Sequence, residues 1–322
     1  MHQENTAAWE ALLLSEYGNT AGLWVQKGDE TVCEWYPPGV TPDMAIQAFS
    51  VTKSILSLLV GIAIDRGLIR GVEQKVLDFF PAYTVKRGEK TIQQITLRHL
   101  LTMTAPYKYQ SPPYTRYFSS ESWVTTALDL LGGRGEVGAF RYTPLIGPDI
   151  LSGVLANATG QSVLAFAQQN LFAPLGIDVK QNIVFHSKEE QLSIMKNHRS
   201  PGWVADPQGI NTAGWGLFVT LADLAKIGRL CLQRGSWNGR QVVSDAWIAQ
   251  STAVHSRWNT LAYGYLWWIV DEQEACFAAL GDGGNVIYVN PHKEVVVAMT
   301  AFFQPRARDR IALIREQIEP RL

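Results

Sequence analysis

The stretch Phe49-Ser50-Val51-Thr52-Lys53 and the apolar run at 54–64 that follows it decide how the rest of the chain is interpreted. The eleven residues after Lys53 carry no charge, so the pattern predicts a central helix that is apolar nearly all round. Ser50 and Lys53 are three positions apart. A helix that starts here would place both side chains on one face, one turn from each other.

That pairing has a chemical meaning. A serine hydroxyl is a weak nucleophile until a neighbouring base takes its proton. A lysine can be that base when desolvation or nearby positive charge keeps its amine neutral. The helix N-terminus adds partial positive charge where an oxyanion would form. The stretch therefore predicts Ser50 as a nucleophile and Lys53 as its base. The alternative is a serine N-cap followed by a solvated lysine.

Composition narrows the class of protein. The chain has 322 residues, 47% of them hydrophobic and 18% charged, with a formal net charge of −1. This charge gives no electrostatic reason to expect nucleic acid or an anionic membrane as a partner. The start shows no signal-peptide pattern, and the run at 54–64 is too short to span a bilayer. Cys33, Cys231 and Cys276 lack Cys-x-x-Cys spacing and are expected to be reduced core residues of a cytoplasmic protein.

The order of patterns along the chain predicts the fold class. Strands at 21–26 and 31–36 precede the central helix, and four more strands are expected at 262–270, 275–280, 285–289 and 294–300. Helices and long polar loops occupy the middle. We therefore expect an α/β (α+β) protein in which an antiparallel sheet flanked by helices is built from both chain ends. The expected domains are a sheet domain of residues 1–70 and 212–322 and a mainly helical insert of residues 71–211, with the active site between them.

Two further places offer groups for a site. Tyr142 lies in a loop before a predicted helix, where its hydroxyl either faces a cleft or is half-buried without a role. The segment Gly281-Asp282-Gly283-Gly284 lies between two strands, and its glycines let backbone N–H groups approach a ligand or simply make a hairpin turn. A literal G-x-G-x-x-G at 133–138 lacks the strand-turn-helix context of a dinucleotide site and is rejected.

Order and spacing of these motifs resemble the serine β-lactamase and penicillin-binding protein superfamily. The likeness is closest to the class C β-lactamase-like esterase branch, and it covers nearly the whole chain. Stretches similar to framework segments of that branch are Ile95–Thr104, Leu171–Ile177, Gly214–Gly228 and Tyr263–Trp268.

The resemblance implies roles for individual residues. Ser50 would be acylated, and Lys53 and Tyr142 would share general acid and base work. The backbone N–H groups of Ser50 and Gly284 would form the oxyanion hole, with Asp282 and Gly283 beside the substrate. It implies no metal or organic cofactor. The expected partner is a small-molecule ester, amide or β-lactam substrate.

Two departures from the family pattern affect the expected substrate. The family's Tyr-x-Asn is here Tyr142-Thr143-Pro144, and its Lys-or-His, Thr, Gly strand motif is Gly281-Asp282-Gly283. The cation that would meet a substrate carboxylate is missing, so small esters or amides are the expected substrates. One alternative is a β-lactamase or D-alanyl-D-alanine carboxypeptidase that uses another cation such as Arg141. A second, from another class, is a non-catalytic binding protein that keeps the fold.

Overall fold

The computed structural model describes residues 2–197 and 199–322, and strands from both ends of the chain meet in its largest sheet. The strands are β1 Thr20–Lys27, β2 Glu30–Trp35, β3 Ile46–Gln47, β4 Asn182–Ile183, β5 Gly202–Val204, β6 Leu217–Val219, β7 Ser236–Trp237, β8 Arg240–Gln241, β9 Ser256–Trp258, β10 Leu261–Tyr263, β11 Trp268–Asp271, β12 Cys276–Gly281, β13 Asn285–Asn290 and β14 Val295–Ala301.

Helices fill the middle of the chain and flank the sheet. The α-helices of the described residues are α1 His2–Glu16, α2 Val51–Asp65, α3 Leu97–Leu101, α4 Tyr114–Phe118, α5 Trp123–Leu130, α6 Ile146–Thr159, α7 Val163–Ala167, α8 Ala173–Leu175, α9 Lys188–Asn197, α10 Leu221–Leu232, α11 Asp245–Ser251 and α12 Arg310–Leu313. Short 3₁₀ and π turns extend several of them, and a separate 3₁₀ turn, Asp282–Gly284, connects β12 to β13.

The large sheet has the strand order β2-β1-β14-β13-β12-β11-β10-β9, and every neighbouring pair is antiparallel. The N-terminal hairpin joins the C-terminal strands directly, with Trp24 opposite Ala298. The predicted fold class, an antiparallel sheet built from both chain ends and flanked by helices, is confirmed.

One predicted strand, at 262–270, is interrupted. The chain leaves the sheet after β10 because Gly264 packs against the carbonyl of Ser251, 2.2 Å from where a Cβ would stand. Leu266 adopts a left-handed backbone with φ of 63°, which no regular strand allows. A tight excursion of four residues therefore separates β10 from β11.

A second sheet, β3-β6-β5-β4, was not predicted. Its strands are two or three residues long, too short for a period-2 pattern to stand out. It nevertheless matters for the site, because β3 pairs with β6 and the next residue, Ala48, donates its N–H to Leu217 O at 2.8 Å. This pairing fixes the chain just before Ser50.

Two apolar cores lie against the sheets. The smaller core joins α1 and α12 to the large sheet through residues such as Trp9 and Ile314. The larger core surrounds α2, whose residues 51–63 are all buried, as the uncharged run predicted. Within the described residues no single helix is long and apolar enough to cross a membrane, although the bent pair 146–159 and 163–175 meets that criterion by length and composition alone. Cys33, Cys231 and Cys276 are buried free thiols.

Candidate active site

Ser50 stands at a sharp entry into α2. The preceding residue, Phe49, has a left-handed backbone with φ of 48°, which is uncommon for an aromatic residue and marks a constrained turn. Ser50 occupies the N-cap position, yet its hydroxyl makes no capping hydrogen bond. The hydroxyl is thus available for something other than ending the helix.

The hydrogen-bond partner of the Ser50 hydroxyl is Lys53. Its side chain is buried, with 1% of its surface exposed, and its Nζ donates to Ser50 Oγ at 2.7 Å and to the carbonyl of Gly214 at 2.9 Å. Ser50 Oγ also lies 3.4 Å from the same carbonyl oxygen. The alternative interpretation, a serine cap followed by a solvated lysine, is therefore wrong. A buried amine in contact with the hydroxyl is the arrangement that activation of a serine requires.

Tyr142 flanks this pair with its ring. Lys53 Nζ lies 5.4 Å from the ring centroid, a distance at which an ammonium is attracted by the π face. The ring stacks on Trp268 at 5.8 Å and meets Tyr263 edge-on at 6.5 Å. No hydrogen-bond partner for the Tyr142 hydroxyl occurs among the described residues. The structure thus brings Tyr142 to Lys53, but through the face of the ring.

A cavity of about 270 Å³ opens over Ser50. Its walls are largely aromatic, and the aromatic side chains are those of Phe49, Tyr114, Phe118, Trp215 and Phe303. Two of these, Tyr114 and Phe118, lie in the short helix α4 of the helical region. Among the described residues that line the cavity, Asp282 is the one with a charged side chain.

Asp282 and the two glycines after it are placed differently. Asp282 lies on the Ser50 cavity, and its charge adds to the effect of burial in raising the pKa of Tyr114. Gly283 and Gly284 line a neighbouring cavity of about 570 Å³, which Asp282 also lines. A Cβ on Gly284 would stand 2.7 Å from Arg310 Nε. Arg310 therefore occupies the space where a side chain at position 284 would lie, which restricts this position to glycine.

Hydrogen bonds from Asn19, supported by Arg310, stabilise the turn that carries Asp282. Asn19 Nδ2 donates to Gly283 O at 2.6 Å and to Phe302 O at 2.8 Å. Arg310, with 3% of its surface exposed, donates in turn to Asn19 Oδ1 at 2.8 Å. On the other side, Gly281 packs against the carbonyl of Ala48, 2.3 Å from where a Cβ would stand. These contacts fix the turn against the strand that leads to Ser50.

Arg141, the cation considered for carboxylate recognition, is engaged elsewhere. Its guanidinium donates to Tyr107 O at 2.9 Å and also to Tyr109 O. It stacks over the Tyr109 ring at 4.9 Å. Arg141 therefore stabilises the backbone at Tyr107 and Tyr109. Its contacts do not support a role in binding a substrate carboxylate.

Two residues near Ser50 were not predicted from the sequence to belong to the site. Gly214 supplies the carbonyl that meets Lys53, and Asp149 accepts hydrogen bonds from the backbone N–H groups of Ala213 and Gly214. Gly214 stood at the start of a framework stretch, and Asp149 had no signal beyond being a charge within an otherwise apolar helix. Among the described residues, no group of three or more His, Cys, Asp or Glu side chains could hold a metal ion.

Comparisons with known proteins identify the family and agree with the fold. A family model described as Beta-lactamase matches residues 15–319, and the chain belongs to that family. The 6-aminohexanoate-dimer hydrolase of Paenarthrobacter ureafaciens is 24% identical over 313 residues, covering 90% of this chain and 74% of the relative.

Solved structures show the same fold. A structure described as a putative 6-aminohexanoate-dimer hydrolase from Bacillus anthracis superposes with a TM-score of 0.76 at 17% identity, covering 97% of this chain and 80% of the other. EstCE1, described as a hydrolase with promiscuous acyltransferase activity, gives a TM-score of 0.73 at 15% identity, covering 98% and 97%. The chain is thus a member of a hydrolase family with the β-lactamase fold.

Proposed function

We propose that this chain is a serine hydrolase that cleaves small esters or amides through an acyl-enzyme on Ser50. The observation that carries the proposal is the 2.7 Å hydrogen bond between Lys53 Nζ and Ser50 Oγ at the floor of an open cavity. Family membership supports hydrolysis, and the relatives named above include an amide hydrolase by title. A non-catalytic binding protein would have no need for a buried lysine on a serine hydroxyl.

In the acylation step Ser50 Oγ attacks the substrate carbonyl carbon. The hydroxyl proton passes to Lys53 Nζ, which accepts it in the form that carries a lone pair. The Gly214 carbonyl holds Nζ in place at 2.9 Å, so the amine is aimed at the hydroxyl before the reaction begins. Pre-alignment of this kind lowers the entropy cost of reaching the transition state.

The oxyanion that develops needs N–H donors. Ser50 N–H lies at the start of α2, where the helix dipole adds partial positive charge. The second donor in this proposal is the N–H of Gly284, in the turn whose Asp282 lines the same cavity. Each such donor typically contributes about 100- to 1,000-fold in rate.

The tetrahedral adduct then loses the alkoxide or amine, which takes a proton from Lys53, directly or through the Tyr142 hydroxyl. In deacylation a water attacks the acyl carbon, its proton goes to the same pair, and Ser50 regains its hydrogen. For this relay the Tyr142 hydroxyl must come within hydrogen-bond reach of Nζ, whose distance to the ring centroid is 5.4 Å.

The cavity also suits particular substrates. Its aromatic walls favour apolar groups, and Asp282 disfavours a substrate carboxylate. Because Arg141 is held by backbone carbonyls, no observation favours β-lactams or D-alanyl peptides over neutral esters.

The test is hydrolysis of p-nitrophenyl butyrate by Ser50→Ala. We expect less than a few per cent of the wild-type kcat/KM and an unchanged melting temperature. Ser57→Ala is the matched control, since Ser57 is buried in the same helix with no hydrogen-bond partner among the described residues. Full activity in Ser50→Ala would show that another group is the nucleophile.

A further inference from the structure

One buried carboxylate in the helical region does not belong to the reacting groups. Asp149, in the first turn of α6, has 2% of its surface exposed. Within the described residues it forms no salt bridge; its hydrogen-bond partners are Tyr117 OH at 2.5 Å, Ala213 N at 2.7 Å and Gly214 N at 3.3 Å, and the nearby charge of Lys53 offsets part of the effect of burial on its pKa. A charge buried without a counter-ion is costly unless hydrogen bonds compensate it, so its position calls for an explanation.

Asp149 reaches the site through one residue, Gly214, whose N–H and C=O belong to two successive peptide groups. Its Oδ1 accepts the N–H of Gly214, and the carbonyl of that residue accepts Lys53 Nζ at 2.9 Å. The same carbonyl oxygen lies 3.4 Å from Ser50 Oγ. Asp149 is therefore connected to Lys53 by two hydrogen bonds, one to the N–H and one to the carbonyl of Gly214.

Gly214 itself cannot be replaced by a residue with a side chain. A Cβ there would lie 2.2 Å from Pro144 O and 3.0 Å from Leu145 Cα. The 213–214 segment is thus pressed against the loop that follows Tyr142, while Asp149 holds its N–H groups. The carbonyl of Gly214 has little freedom left, and it points at Lys53.

We propose that Asp149 is a positioning residue for the serine hydrolase reaction: it orients the Gly214 carbonyl, which in turn aims Lys53 at Ser50. The inference rests on the proposed function. Burial raises the pKa of Asp149 to about 6, so the carboxylate is ionised at neutral pH and makes charge-assisted hydrogen bonds, which are stronger than neutral ones.

The experiment compares Asp149→Asn and Asp149→Ala with wild type in p-nitrophenyl butyrate hydrolysis. Asn keeps an acceptor oxygen without the charge, so we expect kcat to fall about 3- to 10-fold. Ala removes the acceptor, so we expect about a 100-fold fall. KM should change less than about threefold in both, because Asp149 does not line the cavity and the substrate still binds on the same walls.

Asp206 supplies the matched control. It is also a buried carboxylate, 1% exposed, that accepts backbone N–H groups, those of Trp123, Gln208 and Ile210. Asp206→Asn and Asp206→Ala should cost stability and leave kcat within about twofold of wild type at a temperature where the protein is folded.

The outcomes separate the two proposals. If Asp149→Ala does not fold, Asp149→Asn decides: a kcat within twofold of wild type would overturn the positioning role. Equal losses in the Asp149 and Asp206 variants would show a structural role only, and overturn it as well. Failure of the proposed function looks different, since Ser50→Ala would then remain active whatever the Asp149 variants do.

Discussion

The carboxylate of Asp282 is predicted to make the enzyme select substrates by their charge. Asp282 is the charged side chain among the described residues of the Ser50 cavity, and Arg141, the cation considered for carboxylate recognition, is bound to carbonyls elsewhere. Asp282→Asn should therefore improve anionic substrates, weaken cationic ones and leave neutral ones nearly unchanged.

The magnitude follows from the exposure of the carboxylate. The Asp282 residue is exposed to solvent, so an effective dielectric constant of roughly 40–80 applies to its interaction with a substrate charge. A substrate charge at about 5 Å would then interact by about 0.8–1.7 kcal/mol. Since 1.4 kcal/mol is about tenfold, the expected change in kcat/KM is about 4- to 17-fold. Added salt should reduce it.

The assay uses three acetate esters whose phenol leaving groups are neutral, carboxylate-bearing or trimethylammonium-bearing. Their intrinsic reactivities cancel when each kcat/KM of Asp282→Asn is divided by the wild-type value. Asp309→Asn is the control, because it removes one negative charge from the neighbouring cavity. If the three ratios agree within twofold, the carboxylate does not face the substrate and the reasoning is refuted.

The remaining predictions concern the base, the turn and the buried carboxylate. Lys53→Met should lower kcat/KM at least about 100-fold, because Ser50 would lose its base; a loss below tenfold in steady-state assays would contradict the role. Gly284→Ala places a methyl against Arg310 at a φ of 101°, so denaturant unfolding should show a loss of about 1–3 kcal/mol, and an unchanged stability would mean that the turn yields easily. The pKa of Asp149 is raised by burial from 3.8 to about 6, so the folded protein keeps a proton that the unfolded chain has lost. The contribution of Asp149 to the free energy of unfolding is therefore fully present below about pH 4. It falls by about 3 kcal/mol as the pH rises through about 6. The free energy of unfolding of wild type minus that of Asp149→Asn should fall across this window, and a flat difference would contradict the shift.

The sequence allowed the outline of the fold to be predicted because the periodic signals were long. The uncharged run after Lys53 predicted a buried helix, and residues 51–63 are indeed all buried. The strands at both chain ends predicted a shared antiparallel sheet. The second sheet was missed because its strands are too short for any period, and the division into two domains stays a prediction.

The site was only partly predictable. Ser50 and Lys53 lie in one helix, so local spacing determined their contact. Gly214 and Asp149 reach the same place through tertiary packing, which leaves no mark in local sequence. The position of the Asp282 turn depends on Asn19 and Arg310, 291 positions apart, and neither residue lies in the glycine-rich segment.

The central claim is that Ser50 is the acylated nucleophile, and mass spectrometry tests it most directly. The tryptic peptide of residues 28–53 contains Ser50 as its one serine. After reaction with a fluorophosphonate, or rapid quenching with an activated ester, the account predicts one adduct per chain, on this peptide and at Ser50, and none in Ser50→Ala. A stoichiometric adduct on another residue, or an equal yield in Ser50→Ala, would contradict it.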